Sequence, residues 1–312
     1  LVKALPEGSL VPMRVCPVTF RCTHPDFVWL VNYLETVMSC TVWGPSTSAT
    51  TANEFKKILS RWAVETVGDT SFVPYQAHDF SFRGMFGLEA AMMSGAGHLL
   101  SFFGTDTVPA IDFLEEYYGA DSDRETVGVS VAASEHAVMC LGTGFYIYDK
   151  HKGDWSYQGE AELALFKRLI TEVYPNGIIS LVADTWNLWR VVTEYMPLLK
   201  KEIMARNGKL VLRPDSSPKT PVEILVGDAD GMTYGYEEHH GKAAVKGLIR
   251  ALWDEFGGTL SPRGYKVLDP HVGAIYGDSI TMERAELICS GLAGLGFAST
   301  NWVAGVGSYT YQ

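Results

Sequence analysis

Three kinds of side chain recur at the ends of short apolar runs in this chain. Arg83 and Arg213 are fixed cations suited to a bidentate grip on phosphate. Asp106, Asp184, Asp215 and Asp278 can accept hydrogen bonds from sugar hydroxyls or hold Mg2+ through water. Gly277, Gly305, Gly307 and Ser308 stand where bare backbone N–H groups could cradle a phosphate. Phosphate grip, diol grip and a divalent metal together point to a phosphorylated sugar. Singly these signals are weak: Arg-Pro-Asp is as often a salt-bridged turn, and a lone histidine is more often packed or exposed than catalytic. Their coincidence at run ends carries the reading.

Stepping from the residues to their supports, Gly128–His136 (GVSVAASEH) reads as a buried strand that delivers Ser134, Glu135 and His136. Ile178–Asp184, Leu210–Asp215 and Val272–Asp278 are apolar runs ending in Asp, and Asn301–Ser308 ends in glycines. Strands that finish in ionisable groups deliver chemistry to the carboxyl edge of an α/β sheet. His78–Gly84 and Leu99–Phe103 read as further strands. Helical patterns fall at Leu88–His98, Ile111–Tyr118, Ala161–Tyr174, Leu188–Met204 and Glu283–Leu295. The small residues of Leu88–His98 suit close packing on a sheet.

This gives about six strand–helix units, short of the eight of a full barrel. The expected fold is α/β: an irregular, incomplete α/β barrel over residues 77–312, preceded by part of a smaller α+β N-terminal domain over 1–76. In that first region Leu10–Phe20 suggests edge strands, Phe27–Cys40 a core-packed helix, and Ala52–Thr66 an amphipathic helix. Lys219–Pro262 interrupts the alternation, and its Gly227–Gly241 stretch, with His239 and His240, reads as a solvated surface excursion rather than a metal site.

The bulk numbers fit a soluble globular protein: 312 residues, 47% hydrophobic, 20% charged. A net charge of -11 argues against a sequence-independent nucleic-acid binder, so any anionic substrate needs a local cation cluster. Five cysteines at irregular spacing, with no C-x-x-C pair, suggest reduced thiols in a cytoplasmic protein and no zinc site. No apolar run reaches the ~18–20 residues of a membrane helix. Leu1 and Gln312 both read as cut ends of a larger protein.

HDFSFRG (His78–Gly84), GTDT (Gly104–Thr107), SVAASEH (Ser130–His136), SLVADTW (Ser180–Trp186), LVLRPDSS (Leu210–Ser217), YGDS (Tyr276–Ser279) and AGVGS (Ala304–Ser308) occur in this order. Together they resemble the nicotinamide phosphoribosyltransferases, type II phosphoribosyltransferases, from about Val11 to Gln312, most like bacterial or phage versions. The resemblance implies transfer of phosphoribosyl from phosphoribosyl pyrophosphate to nicotinamide, with Mg2+, in NAD salvage. It implies a homodimer with its sites at the interface, and ATP as phosphoryl donor to His136. It maps Phe80 onto the aromatic that stacks on the pyridine, Arg83 onto the arginine near ring and pyrophosphate, and Asp106 onto the carboxylate that accepts the carboxamide N–H. It maps Ser130 into the same substrate-binding set, and Arg213 and Asp215 onto the pair at ring and ribose. Asp184 falls near the metal and His136, with Asp184 and Asp215 as metal residues acting through water. Gly277 and Asp278 match the ribose contact, and Gly307 and Ser308 the product-phosphate loop. His136, Asp184 and Asp215 are the catalytic candidates.

Departures are Ser308, where the family usually has glycine, and the milder Ala183 and Thr185. The family's ring-closing aromatic precedes the position of Leu1, and further basic residues follow Gln312. Glu135 and Asp184 both stand as candidates to orient His136, whose other reading is a hydrogen bond to pyrophosphate alone. The rival functions are a nicotinate or quinolinate phosphoribosyltransferase, a non-catalytic phosphoribosyl-binding or signalling module, and an unrelated barrel isomerase or aldolase. The last would want a catalytic Lys or Glu at a strand end.

Overall fold

The computed structural model describes residues 1–215, 220–228 and 242–312. An antiparallel ribbon of β1 (Val2–Ala4) and β2 (Val18–Phe20) opens the chain, so only the end of the expected Leu10–Phe20 strand region is extended. A helix of 37 residues, Leu30–Thr66, follows. It joins the two helices expected from sequence, because the chain stays helical through Pro45. Its buried face begins at Ser48 and continues through Ala52, Phe55, Leu59, Ala63 and Thr66, an i, i+4, i+7 stripe. Phe27–Cys40 is not core-packed: Trp29, Tyr33 and Val37 are exposed, since the partners that bury this helix start only after Pro45.

Seven parallel strands form the central sheet in the order β4–β3–β11–β10–β7–β6–β5. They are β3 (Ala77–Asp79), β4 (Gly104–Thr105), β5 (Ala132–Ala133), β6 (Asn176–Val182), β7 (Asn207–Arg213), β10 (Val272–Tyr276) and β11 (Trp302–Val306). β8 (Gly258–Leu260) and β9 (Lys266–Leu268) make a separate antiparallel pair. The sheet curls so that β4, at one edge, meets the segment leading into β5, at the other. A parallel bridge joins Gly104 to Val129, with Thr105 N–H donating to Val129 O at 2.9 Å and Val129 N–H to Phe103 O at 2.7 Å. The fold is therefore an irregular α/β barrel, incomplete against the eight-stranded form, with a seam held by a single bridge.

The seam accounts for two departures from the sequence reading. Gly128–His136 is not one buried strand: it bridges β4 at Val129, pairs with β6 only at Ala132–Ala133, and leaves Val129 and Val131 more than a third exposed. Leu99–Phe103 is not a strand either. The preceding helix runs to Leu99, and Ser101 and Phe102 N–H groups fold back onto His98 O before β4 begins at Gly104.

That helix, Leu88–Leu99, uses its small residues against other helices as well as the sheet. A Cβ on Gly97 would lie 2.7 Å from Pro45 O, and one on Gly95 2.7 Å from the Ala110 methyl. Leu188–Met204 is broken rather than continuous. Pro197 has no N–H to bond Thr193, and the turn before it widens so that Met196 N–H reaches Val191 O. The helix starting at Gln158 likewise ends in a wide turn over Leu169–Val173. Of the 219–262 interruption, Pro221–Leu225 and Leu248–Phe256 are helical, whereas His239 and His240 lie outside the described residues. Among the described residues no helix is long and apolar enough to cross a membrane.

Candidate active site

The carboxyl ends of β3, β4, β6, β7, β10 and β11, with the seam segment, converge on one rim. Inside it lies a small cavity lined by His78, Phe80, Asp106, Ser130, Val131, Ala133, Ser180, Arg213 and Ile275. Residues two apart on an extended segment share a face, so His78 and Phe80, or Val131 and Ala133, point inward together, while at the irregular seam Ser130 lines the cavity beside Val131. Phe80 is fixed at the lip, its N–H donating to Val306 O at 2.9 Å. The Arg213 guanidinium lies 5.0 Å from the centre of the Phe80 ring. Glycines make room for that ring: a Cβ on Gly277 would sit 3.2 Å from Phe80 Cε2, and one on Gly305 2.6 Å from it.

Arg213 is 3% exposed at its side chain and anchors an ion network. It donates to Asp215 Oδ2 at 2.8 Å and to the Glu135 carboxylate at 3.3 and 3.5 Å. Burial alone would depress the guanidinium, but Asp215 and Glu135 outweigh it and push Arg213 above its ordinary value. Glu135 also faces Arg83, 3.7 Å away and largely exposed. Asp215 N–H donates to Asp184 Oδ2 at 2.7 Å, and Asp184 Oδ1 lies 3.2 Å from His136 Nε2. An unbroken chain of polar contacts thus runs Arg83–Glu135–Arg213–Asp215–Asp184–His136.

Of the two acids considered for orienting His136, Asp184 makes the contact; Glu135 is held by the arginines instead. A carboxylate accepts, so Nε2 carries a hydrogen, and in the neutral imidazole Nδ1 is then the nitrogen with the lone pair. His136 is also the first residue of the helix His136–His151, where the helix dipole favours a negative group.

Asp106 stands on the opposite side of the cavity. His78 Nε2 lies 2.8 Å and Ser130 Oγ 2.6 Å from its Oδ1. Burial would raise the Asp106 carboxyl, but these hydrogen bonds and the His78 and Arg213 charges hold it below the ordinary carboxylate value. Asp278 follows β10. Burial, then the charges of Asp278, Asp184 and Asp215, push the Tyr276 hydroxyl well above an ordinary phenol. Gly307 and Ser308 open the last helix, Ser308–Tyr311, and Ser308 packs directly on Gly84 of the Phe82–Gly84 turn.

Among the described residues no group of three His, Cys, Asp or Glu is placed to ligate a metal directly. Two neighbouring hard carboxylates, Asp215 and the Asp184 that accepts from the Asp215 backbone N–H, do suit a Mg2+ ion that keeps its water. Sequence reasoning missed His78, Ser180, Val131, Ala133 and Ile275, all on the cavity wall. The HDFSFRG and SVAASEH runs contain three of them, and strand alternation from Phe80 and Ser130 points at His78.

Comparison with known sequences gives the family. Residues 75–312 match the model of the nicotinate phosphoribosyltransferase (NAPRTase) family, to which the chain belongs. A nicotinamide phosphoribosyltransferase of Acinetobacter baylyi is 48% identical over 317 residues, covering 100% of this chain and 57% of the relative. One from Mycoplasma pneumoniae is 39% identical over 288 residues, 92% of this chain and 55% of the relative. One from Mycoplasma genitalium is 36% identical over 287 residues, with 92% and 55% covered. The chain spans about half the length of the curated relatives it matches.

Proposed function

We propose that the intact protein transfers the phosphoribosyl group of phosphoribosyl pyrophosphate to nicotinamide, giving nicotinamide mononucleotide and pyrophosphate in NAD salvage. Residues 77–312 form the catalytic barrel, and the protein works as a cytoplasmic homodimer. The pyridine nitrogen forms a bond to the anomeric carbon as the carbon–oxygen bond to pyrophosphate breaks, the electron pair leaving with pyrophosphate. The transition state has oxocarbenium character, so catalysis is mostly positioning and neutralisation of the leaving group.

Phe80 and Arg213 hold the ring, Asp106 and Ser130 its carboxamide, and Asp215, Gly277 and Asp278 the ribose. Arg83, Gly307 and Ser308 grip phosphates. Mg2+, held through water by Asp184 and Asp215, would offset charge on the pyrophosphate. ATP phosphorylates His136: the γ-phosphorus bonds to Nδ1, the nitrogen left with its lone pair by the Asp184 contact, and ADP leaves.

The observation that carries the reading is the Asp106 carboxylate, held below its ordinary value on the wall of the cavity that Phe80 and Arg213 also line. A carboxylate there welcomes an amide N–H and repels the carboxylate of nicotinate. The test supplies the intact protein with phosphoribosyl pyrophosphate, Mg2+ and either base. Nicotinamide should react faster, and Asp106→Asn should erode that preference. Preference for nicotinate would favour the acid-using members of the family, and no mononucleotide from either base would favour a binding module.

A further inference from the structure

We propose that His78 is the positioning residue behind the choice between a carboxamide and a carboxylate on the pyridine, because it fixes the orientation of Asp106. The proposal rests on the nicotinamide reading of this site and assigns its selectivity to a residue outside the substrate-contacting set.

His78 is buried in β3, paired with Gly104 on β4 and Gly305 on β11. The pairing with Gly104 matters. A Cβ there would lie 2.8 Å from His78 Nδ1, so glycine is what allows the imidazole to lie against the neighbouring strand. In that pose Nε2 points two residues along β4's exit to Asp106 Oδ1, 2.8 Å away. The carboxylate accepts, so Nε2 carries the hydrogen. Ser130 Oγ, from the barrel seam, donates to the same oxygen at 2.6 Å. Among the described residues neither bond engages Oδ2, and both come from walls of the cavity that Asp106 helps line.

Two donors on one oxygen stop the carboxylate rotating and leave the second oxygen to accept an N–H from the ligand. An amide supplies that N–H, whereas a carboxylate ligand brings only acceptors and like charge. Without His78, Asp106 keeps a single tether, and burial then favours its protonated form. A neutral acid can donate to a carboxylate, so discrimination falls.

His78 has a second neighbour, the Phe80 ring at 5.1 Å. Loss of that packing would weaken both bases alike and leave their ratio unchanged. The ratio therefore separates positioning of Asp106 from a merely structural role.

The experiment measures kcat/KM of the intact protein for nicotinamide and for nicotinate, in the wild type, His78→Leu and His78→Gln. Leucine keeps the volume without a donor; glutamine keeps an N–H of similar reach. His78→Leu should lower the nicotinamide-to-nicotinate ratio about tenfold or more, the scale of a hydrogen bond to a charged group, mainly through KM for nicotinamide. The KM for phosphoribosyl pyrophosphate should stay unchanged, and His78→Gln should recover most of the ratio.

An unchanged ratio in His78→Leu, or equal losses for both bases, overturns the assignment. If His78→Leu does not fold, Ser130→Ala removes the other tether from outside β3, and a ratio unmoved by it counts against the proposal. A wild type that itself prefers nicotinate shows instead that the amide reading has failed.

Discussion

A methyl group added at Gly305 should damage the base subsite, while the same group at Gly307 should spare it. The built Cβ of residue 305 stands 2.6 Å from Phe80 Cδ2 and Cε2 and 2.7 Å from Gly277 Cα. Carbon atoms pack at ~3.5–4.0 Å, so roughly 1 Å must be found on two sides at once. One side is backbone of β10's exit, which cannot swing aside, and Phe80 is tied to Val306 O by its own N–H. Gly305 has no left-handed φ, so backbone strain plays no part. Overpacking of this kind costs ~1–3 kcal/mol. For domains of this size ~1 kcal/mol lowers Tm by about 2–4 °C, so Gly305→Ala should melt a few degrees early. Since Phe80 must give way, KM for the base should rise more than KM for phosphoribosyl pyrophosphate.

Among the described residues nothing lies within 4 Å of a Cβ on Gly307. Gly307→Ala should therefore keep the wild-type Tm and instead weaken the phosphate-bearing ligand, where the methyl meets the phosphate loop. Thermal melts and steady-state kinetics of the intact protein read both effects. A Gly305→Ala protein with unchanged Tm and unchanged base KM would refute the close approach of Gly305, Phe80 and Gly277 on which the ring site depends.

His136→Ala should abolish stimulation by ATP while slow ATP-independent turnover persists, and retained stimulation would reject the phosphohistidine role. Glu162 is buried, with burial raising its carboxyl above the ordinary value against hydrogen bonds from Tyr195 and Gln158. A raised folded-state pKa contributes stability below the unfolded value of 4.5 that is lost as pH rises through the folded value. Glu162→Gln should accordingly compare better with wild type in melts at pH 8 than at pH 4, on the scale of ~1 kcal/mol. A thiol reagent should label exposed Cys16, Cys40 and Cys140 in the native protein. Buried Cys289, its thiol pushed up to about 12 by burial, should label only after denaturation, and native labelling would contradict its packing against Trp302.

The fold was most legible where a strand is buried on both faces. β6, β7, β10 and β11 carry short, largely apolar stretches that are buried towards their carboxyl ends, and each ends within a residue or two of the polar group that sequence marks: Asp184, Asp215, Asp278 and Ser308. The seam was not legible. β4 and β5 are two residues long, held by short pairings with β3 and β6 and by the bridge between Gly104 and Val129, contacts between distant segments that no local period encodes. The aromatic run at Phe27–Cys40 misled for the opposite reason: its helical period is genuine, but period says that a face is apolar, not that this chain covers it.

The same division runs through the site. Arg213 and Asp215 were readable because a strand end places both at once, and the structure joins them at 2.8 Å. Glu135 stood beside Asp184 as a candidate to orient its neighbour His136, and it does not make that contact. It turns instead to Arg213 and Arg83, and Asp184 reaches His136 from β6. The His136 imidazole and the cations are thereby wired to different carboxylates that, among the described residues, meet through Arg213 and Asp215. Charge placed on His136 would act first on Asp184, and through the hydrogen bond to Asp215 N–H on the Arg213–Asp215 pair. That path makes Asp184→Asn the sharpest probe of coupling. It should leave the Arg213–Asp215 pair in place and uncouple ATP from turnover, whereas full ATP stimulation in that variant would show that the signal travels elsewhere.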